Sequence, residues 1–297
     1  MKIILSRKGF DSSAGGKPSP IFPDGTMISL PIPDKASPIA YQDIAGNQHA
    51  SVGELVQDLA NRPPAHRAHL DPDLSAHALP RMRGWRPIFG QESAAEKHLE
   101  NHGVGAGDVF VFFGRFRRVE RSASQWQYVR SCRPIHVIFG WLQVAKRVRV
   151  CDWPDTEEWA KYHPQMHLGT HPTNVLYVAA ERLALPGLKP SAIAGAGLFP
   201  CFTPHLQLTE PSCRRTSLWL LPEWFHPKGR GSVLTYHGDQ SRWQQVKDGV
   251  MLTAVSRGQE FILDCGDYPE AIRWLADLLP DRCGPGETGE GVTAIVA

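Results

Sequence analysis

The sequence predicts a mixed α+β fold, mixed sheets with peripheral helices, and three observations carry that reading. Apolar runs rich in β-branched and aromatic residues recur along the 297-residue chain, as half-buried pleated strands require. Between them stand a few capped, amphipathic stretches suited to helices on the outside of a sheet. The two kinds of segment do not alternate regularly, so a doubly wound parallel sheet is not expected. An apolar fraction of 42% and a charged fraction of 21% are those of a globular chain able to bury a sizeable core.

In chain order, Lys2–Leu5 is a short apolar strand that runs into a polar loop, and Met27–Pro33 is a second apolar stretch. Ser51 and Glu54 have capping-box spacing, Leu55, Val56 and Leu59 form an apolar face behind them, and Pro63-Pro64 stops the helix. Arg62–Arg86, rich in Pro and His, reads as a long irregular excursion of the kind that often carries function. Ser93 and Glu96 repeat the capping pattern, with Gly103 closing that segment, and Asp155 and Glu158 open Thr156–Tyr162. Strands are expected at Val109–Phe113, Ile135–Phe139, Trp141–Val144, Val175–Ala179, Ser217–Leu221, Ser232–Tyr236 and Glu260–Asp264. Asp267 caps a last helix, Tyr268–Leu279, with Pro269 in its first turn. The chain is expected to form one domain over residues 1–280, followed by a Gly-rich tail at 281–297.

A net charge of +2 hides a basic region. Arg115, Arg117, Arg118, Arg121, Arg130, Arg133, Lys146, Arg147 and Arg149 face one acid, Glu120. Such a region attracts phosphates, although arginines alternating outward from a buried sheet give the same pattern. Six scattered cysteines without a CxxC pair, and only three apolar residues after Met1-Lys2, point to reduced thiols in a cytoplasmic protein. No apolar run approaches the roughly 20 residues that span a bilayer. There is no GxSxG, no HExxH and no dinucleotide GxGxxG after an expected strand, which removes the common hydrolase, zincin and Rossmann readings.

The polar loop is the first candidate site. Ser6, Arg7, Lys8, Gly15, Gly16 and Ser19 would hold the anionic part of a ligand, with backbone amides of the Gly15-Gly16 turn contributing. It is not a Walker A loop: Gly9 and Gly15 are one residue too far apart, and Pro18 stands where a hydroxyl should bind magnesium. Asp11 and Glu260 are the candidates for acid–base work, with Asp264 in support and Arg257 and Gln259 contacting substrate. His163, His167 and His171 are spaced four apart and could hold iron or zinc, but Pro164, Gly169 and Pro172 break the helix that would align them. No motif assigns a cofactor.

Taken together, several segments resemble one family. They are Ser6-Arg7-Lys8-Gly9-Phe10-Asp11-Ser12-Ser13 with Gly15-Gly16 and Pro18-Ser19-Pro20, then Gly107-Asp108 with Phe112-Phe113-Gly114, then Ile138–Val144, and Gly258-Gln259-Glu260-Phe261. The set resembles the nucleotide modification associated domain 3 family over residues 1–280. The resemblance implies an enzyme acting on a nucleobase or nucleotide in a DNA-modification system, with nucleotide or nucleic acid as partner. It transfers no catalytic residue. Val109–Phe113 and His136–Val144 also look like strands of a PUA-like barrel, which implies the rival reading: a non-catalytic reader of modified nucleic acid whose arginines line a groove with an aromatic floor.

Overall fold

The computed structural model describes residues 1–189, 192–256, 258 and 260–279. In chain order the strands are β1 (Lys2–Arg7), β2 (Ser19–Ile21), β3 (Ile32–Pro33), β4 (Ala68–His69), β5 (Ile88–Gln91), β6 (Val109–Ser122) and β7 (Gln125–Tyr128). They continue as β8 (Ile135–Arg149), β9 (Val175–Ala179), β10 (Ala196–Leu198), β11 (Leu218–Leu221), β12 (Trp243–Val246), β13 (Gly249–Thr253) and β14 (Glu260–Asp264). Among the described residues three α-helices accompany them: α1 (Val52–Ala60), α2 (Ser93–Asn101) and α3 (Glu270–Leu278). The α+β expectation therefore holds, with sheet predominating.

The spine is the antiparallel pair β6 and β8, whose aromatic and β-branched runs are buried on both faces. Nine strands join in one sheet, in the order β14-β1-β6-β8-β9-β5, with β10, β2 and β7 paired at its flanks. β1 runs parallel to β6 and antiparallel to β14, so Ser6 stands opposite both Phe112 and Glu260. Cross-strand partners share a face of the sheet. Ile4, Ser6, Phe110, Phe112, Glu260 and Ile262 therefore line one surface.

That surface is strongly curled. β5 and β14 are at opposite ends of the strand order, yet the side-chain amide of Gln91 reaches Glu260 and Lys8 of the β1 end lies over the Phe89 ring. No backbone ladder joins β5 to β14 among the described residues, and the sheet is not closed into a barrel. α2, which follows β5 directly, lies against β14 and spans the opening. The other face packs Phe113 and Phe261 against Trp219 of a small sheet, β11-β13-β12, and the same core takes in Ala271 and Leu275 of α3. A second core gathers α1 around Phe10, Phe22 and Tyr41. No helix among the described residues is long and apolar enough to cross a membrane.

Local expectations fare unevenly. The Ser51/Glu54 capping box forms with both of its hydrogen bonds, but α1 ends on Asn61 in the left-handed region rather than at the prolines. Ser93 is not a cap. Glu92 takes that place, and Glu96 turns inward to receive Arg147 and Tyr177. Thr156–Tyr162 yields only a 3-10 turn, Glu158–Ala160, because Pro154 and Pro164 leave too little chain between them for a helix to propagate. Met27–Pro33 contributes only Ile32–Pro33 as strand, Ser232–Tyr236 is turn, and Ile135–Phe139 fuses with Trp141–Val144 through Gly140. The expected tail, 281–297, lies outside the described residues.

Candidate active site

Alternation along β1 puts Ser6 and Lys8 on the concave surface and sends Arg7 the other way. Arg7 donates to the carbonyls of Ser256 and Gly258 at 2.9 and 3.0 Å, tying the segment before β14 to the end of β1. Lys8 reaches back to Glu260, with Nζ 2.8 Å from Oε1. Gln91 donates to the same oxygen from 2.6 Å. The carboxylate is 1% exposed. Among the described residues its second oxygen, Oε2, has no hydrogen-bond partner, and neither does the buried Ser6 hydroxyl beside it. A buried polar group without a partner costs about 1–3 kcal/mol, so two orphans on one face call for an explanation.

The rim of this pair comes from α2 and from the turn at 235–236, ahead of β12. The His98 ring lies 4.5 Å from the Tyr236 ring and 4.4 Å from that of His102, and His98 Nε2 is 3.2 Å from Thr235 Oγ1. Burial and the neighbouring His102 hold the His98 imidazolium below the usual histidine range, against an opposing pull from Glu260. Burial, then the Glu260 charge, raise the Tyr236 hydroxyl. Tyr236 adopts φ +66°, a costly conformation for a bulky residue, and half its surface is open to solvent. Gly258, at φ +86°, packs so closely that a Cβ there would lie 3.2 Å from the Tyr236 ring.

Other candidate residues go elsewhere. Asp11 Oδ1 accepts the Ser13 and Ala14 amides and the Ser13 hydroxyl. Burial opposes these bonds, yet together with the Arg7 charge they hold its pKa below the usual range. The Gly16 amide goes to the Asp11 carbonyl, so three amides near the loop tip are spent inside it. Gly15, at φ +82°, lets the loop close over Phe10, whose ring a Cβ would meet at 2.5 Å. Ser19 is buried and accepts the Leu30 amide. Asp264 accepts the Gly266 amide at the far end of β14, about 13 Å along the strand from Glu260. Arg257 and Gln259 lie outside the described residues.

The three histidines do not converge. His163 faces Asp71, His167 lies against the Lys161 carbonyl, and His171 pairs with Glu92. Among the described residues no group of three His, Cys, Asp or Glu side chains is placed to hold a metal ion. Sequence reasoning missed Gln91, His98 and Tyr236, since nothing in their local sequence announces a neighbour in β14. It had no means of linking β5 to β14 at all.

A family model, nucleotide modification associated domain 3, matches residues 2–264. The chain belongs to that family. Of the segments that suggested it, the opening motif and the 258–261 segment are the two that meet at Glu260. Membership associates this nucleotide modification associated domain with nucleotide modification, and so with a nucleotide or nucleic acid. No curated protein matches the chain, and no solved structure does.

Proposed function

We propose that this chain is an enzyme that modifies a nucleobase or nucleotide, with Glu260 as its acid–base group. The observation that supports this best is the asymmetry of Glu260: Oε1 is held by Lys8 and Gln91, while the buried Oε2 has no partner among the described residues. One oxygen is fixed by an ammonium and an amide. The other is left as a strong, oriented acceptor for an N–H or O–H of the substrate. Proton transfer by a positioned carboxylate contributes about 10²–10⁴-fold to a rate. Ser6 Oγ offers the matching donor, and Tyr236 with His98 supplies a ring surface at the rim on which a base can lie.

The test is nucleoside mass spectrometry on DNA and on the nucleotide pool of cells expressing the protein. Wild-type chain is expected to yield a nucleoside of altered mass that disappears with Glu260→Gln. Product unchanged in that variant would end the acid–base assignment.

A second reading has its own observation. Along β6 and β7, Arg117, Arg118 and Arg121 lie over the rings of Tyr128, Phe202 and Trp126, at 5.2, 5.7 and 5.7 Å. This is the alternation of charge and aromatic surface expected of a nucleic-acid reader. Elsewhere in the basic region Lys146 and Arg147 are paired with Glu157 and Glu96. A reader using this ribbon binds DNA with a steep negative salt slope, reduced by about one for each arginine removed. A flat slope rules it out.

A further inference from the structure

The Glu260 cluster leaves unused a cavity of about 280 Å³, which none of Ser6, Lys8, Gln91 and Glu260 lines. Its wall combines Leu70–Ser75 of the irregular excursion with Met27, Phe139 and Phe199. Two packed rings separate it from the cluster. The Phe139 ring lies 6.2 Å from that of Phe112, Phe112 lies 5.2 Å from Phe89, and Lys8 stands over Phe89 at 4.7 Å. Phe89 and Phe112 are both fully buried, so a ring held against Phe139 is out of reach of Glu260. The wall is also short of charge. Among the described residues no lysine or arginine lines the cavity, and its one histidine, His77, is exposed. Two acids line it, but both carboxylates are engaged elsewhere. Asp73 is held by Arg81 and Tyr162. Asp71 accepts the Gly90 amide at 2.9 Å and stands between His69 and His163. None of these five partners lines the cavity.

We propose that this cavity is a second base-binding site, separate from Glu260, which takes one uncharged nucleobase ring and rejects anions. The inference rests on the nucleotide reading above for the class of ligand, and on the cavity for size and charge. The volume lies just under the range of pockets that enclose drug-sized ligands, which suits a single flat ring system. Phe139 and Phe199 provide aromatic surface for its faces. Thr26, Ser29, Asn47 and Gln48 add neutral polar groups to the wall, suited to the edge of a base. A carboxylate or phosphate placed inside would lose its water and find no cation in exchange. Leu198, a wall residue 44% exposed, marks an opening to solvent. A base enters there while any sugar and phosphate stay outside.

The full chain titrated calorimetrically with uracil, adenine, orotamide and orotate tests this. Orotamide and orotate are the uracil ring carrying, at one position, an uncharged amide or a carboxylate of almost the same shape. The first three are expected to bind, and orotate to bind at least about a hundredfold more weakly than orotamide, as an uncompensated buried charge requires. Ala78→Phe, which fills the cavity from a half-buried wall position, is expected to abolish binding of all of them while cooperative unfolding is retained. Leu198→Trp, at a position exposed enough for the fold to accept the larger ring, is expected to weaken it at least about tenfold. Equal affinity for orotate and orotamide, no binding of uracil or adenine, or full binding by both filled variants would each overturn the proposal. Repeating the titration on Glu260→Gln separates the two readings. Product formation surviving in that variant alongside charge-selective base binding condemns the Glu260 assignment alone. Product loss in that variant, with no base bound by the wild type, condemns the cavity alone.

Discussion

Two buried acids flank β5, and they are wired in opposite ways. Asp73, fully buried, is bound by both Arg81 guanidinium nitrogens at 2.7 Å and by the Tyr162 hydroxyl, and its backbone bridges Ile88. Arg81 in turn lies over Trp85 at 4.1 Å. Glu260 has an ammonium and an amide crowded onto one oxygen and, among the described residues, nothing on the other. A buried ion pair is tolerated when its remaining lone pairs are satisfied, and Asp73 meets that condition. Glu260 does not. The contrast separates an acid that anchors the excursion to the sheet from one kept short of a partner at a cost to the fold, and such costs collect at functional sites.

The largest expected effect breaks this contrast on the functional side: Glu260→Gln lowers product formation by about 10²–10⁴-fold, read by the nucleoside assay, while the fold persists. Next comes the structural side. Arg81→Ala strips Asp73 of its bidentate partner and costs about 3–5 kcal/mol, measured by urea unfolding; a change within experimental error would mean that Asp73 does not anchor the excursion. Comparable in kind but smaller is the pH dependence of His69, which bonds Asp34 at 2.8 Å and faces Asp71. Despite burial, these two carboxylates raise its pKa to about 9. A folded value above the unfolded one, about 6.5, means that the stabilisation is complete below the unfolded value. It is lost as pH rises through about 9. Unfolding midpoints between these values should fall with pH, and His69→Gln should flatten the decline. The smallest change sharpens the comparison most. Ser6→Ala removes a hydroxyl that bonds no described residue, so stability should hold or rise while product formation drops. A loss of stability instead would show that Ser6 is a structural group.

Much of the fold was legible because its signals are local. Apolar runs announced β1, β6, β8, β9, β11 and β14, and the Ser51/Glu54 box announced α1, because capping and pleating depend on residues a few positions apart. The same logic misled at Ser93, where Glu96 was recruited by Arg147 and Tyr177 from distant strands. Tertiary demand overrides a cap of modest worth. At the candidate site the sequence singled out Ser6, Lys8 and Glu260, and the first and last of these proved to be register partners. Asp11 carried the same chemistry on paper, but its carboxylate closes its own turn.

By itself, then, the sequence determined the α+β class, the family and the two terminal motifs that hold Ser6, Lys8 and Glu260. Each of these is written in short-range pattern or residue type. Only the tertiary structure decided that Gln91 would meet Glu260, that Oε2 would have no partner among the described residues, and that Gly9, Asp71 and Phe139 would line one cavity. Those outcomes depend on how far a twisted sheet curls and on which long-range contacts repay closing the chain between them. No window along the sequence contains that information.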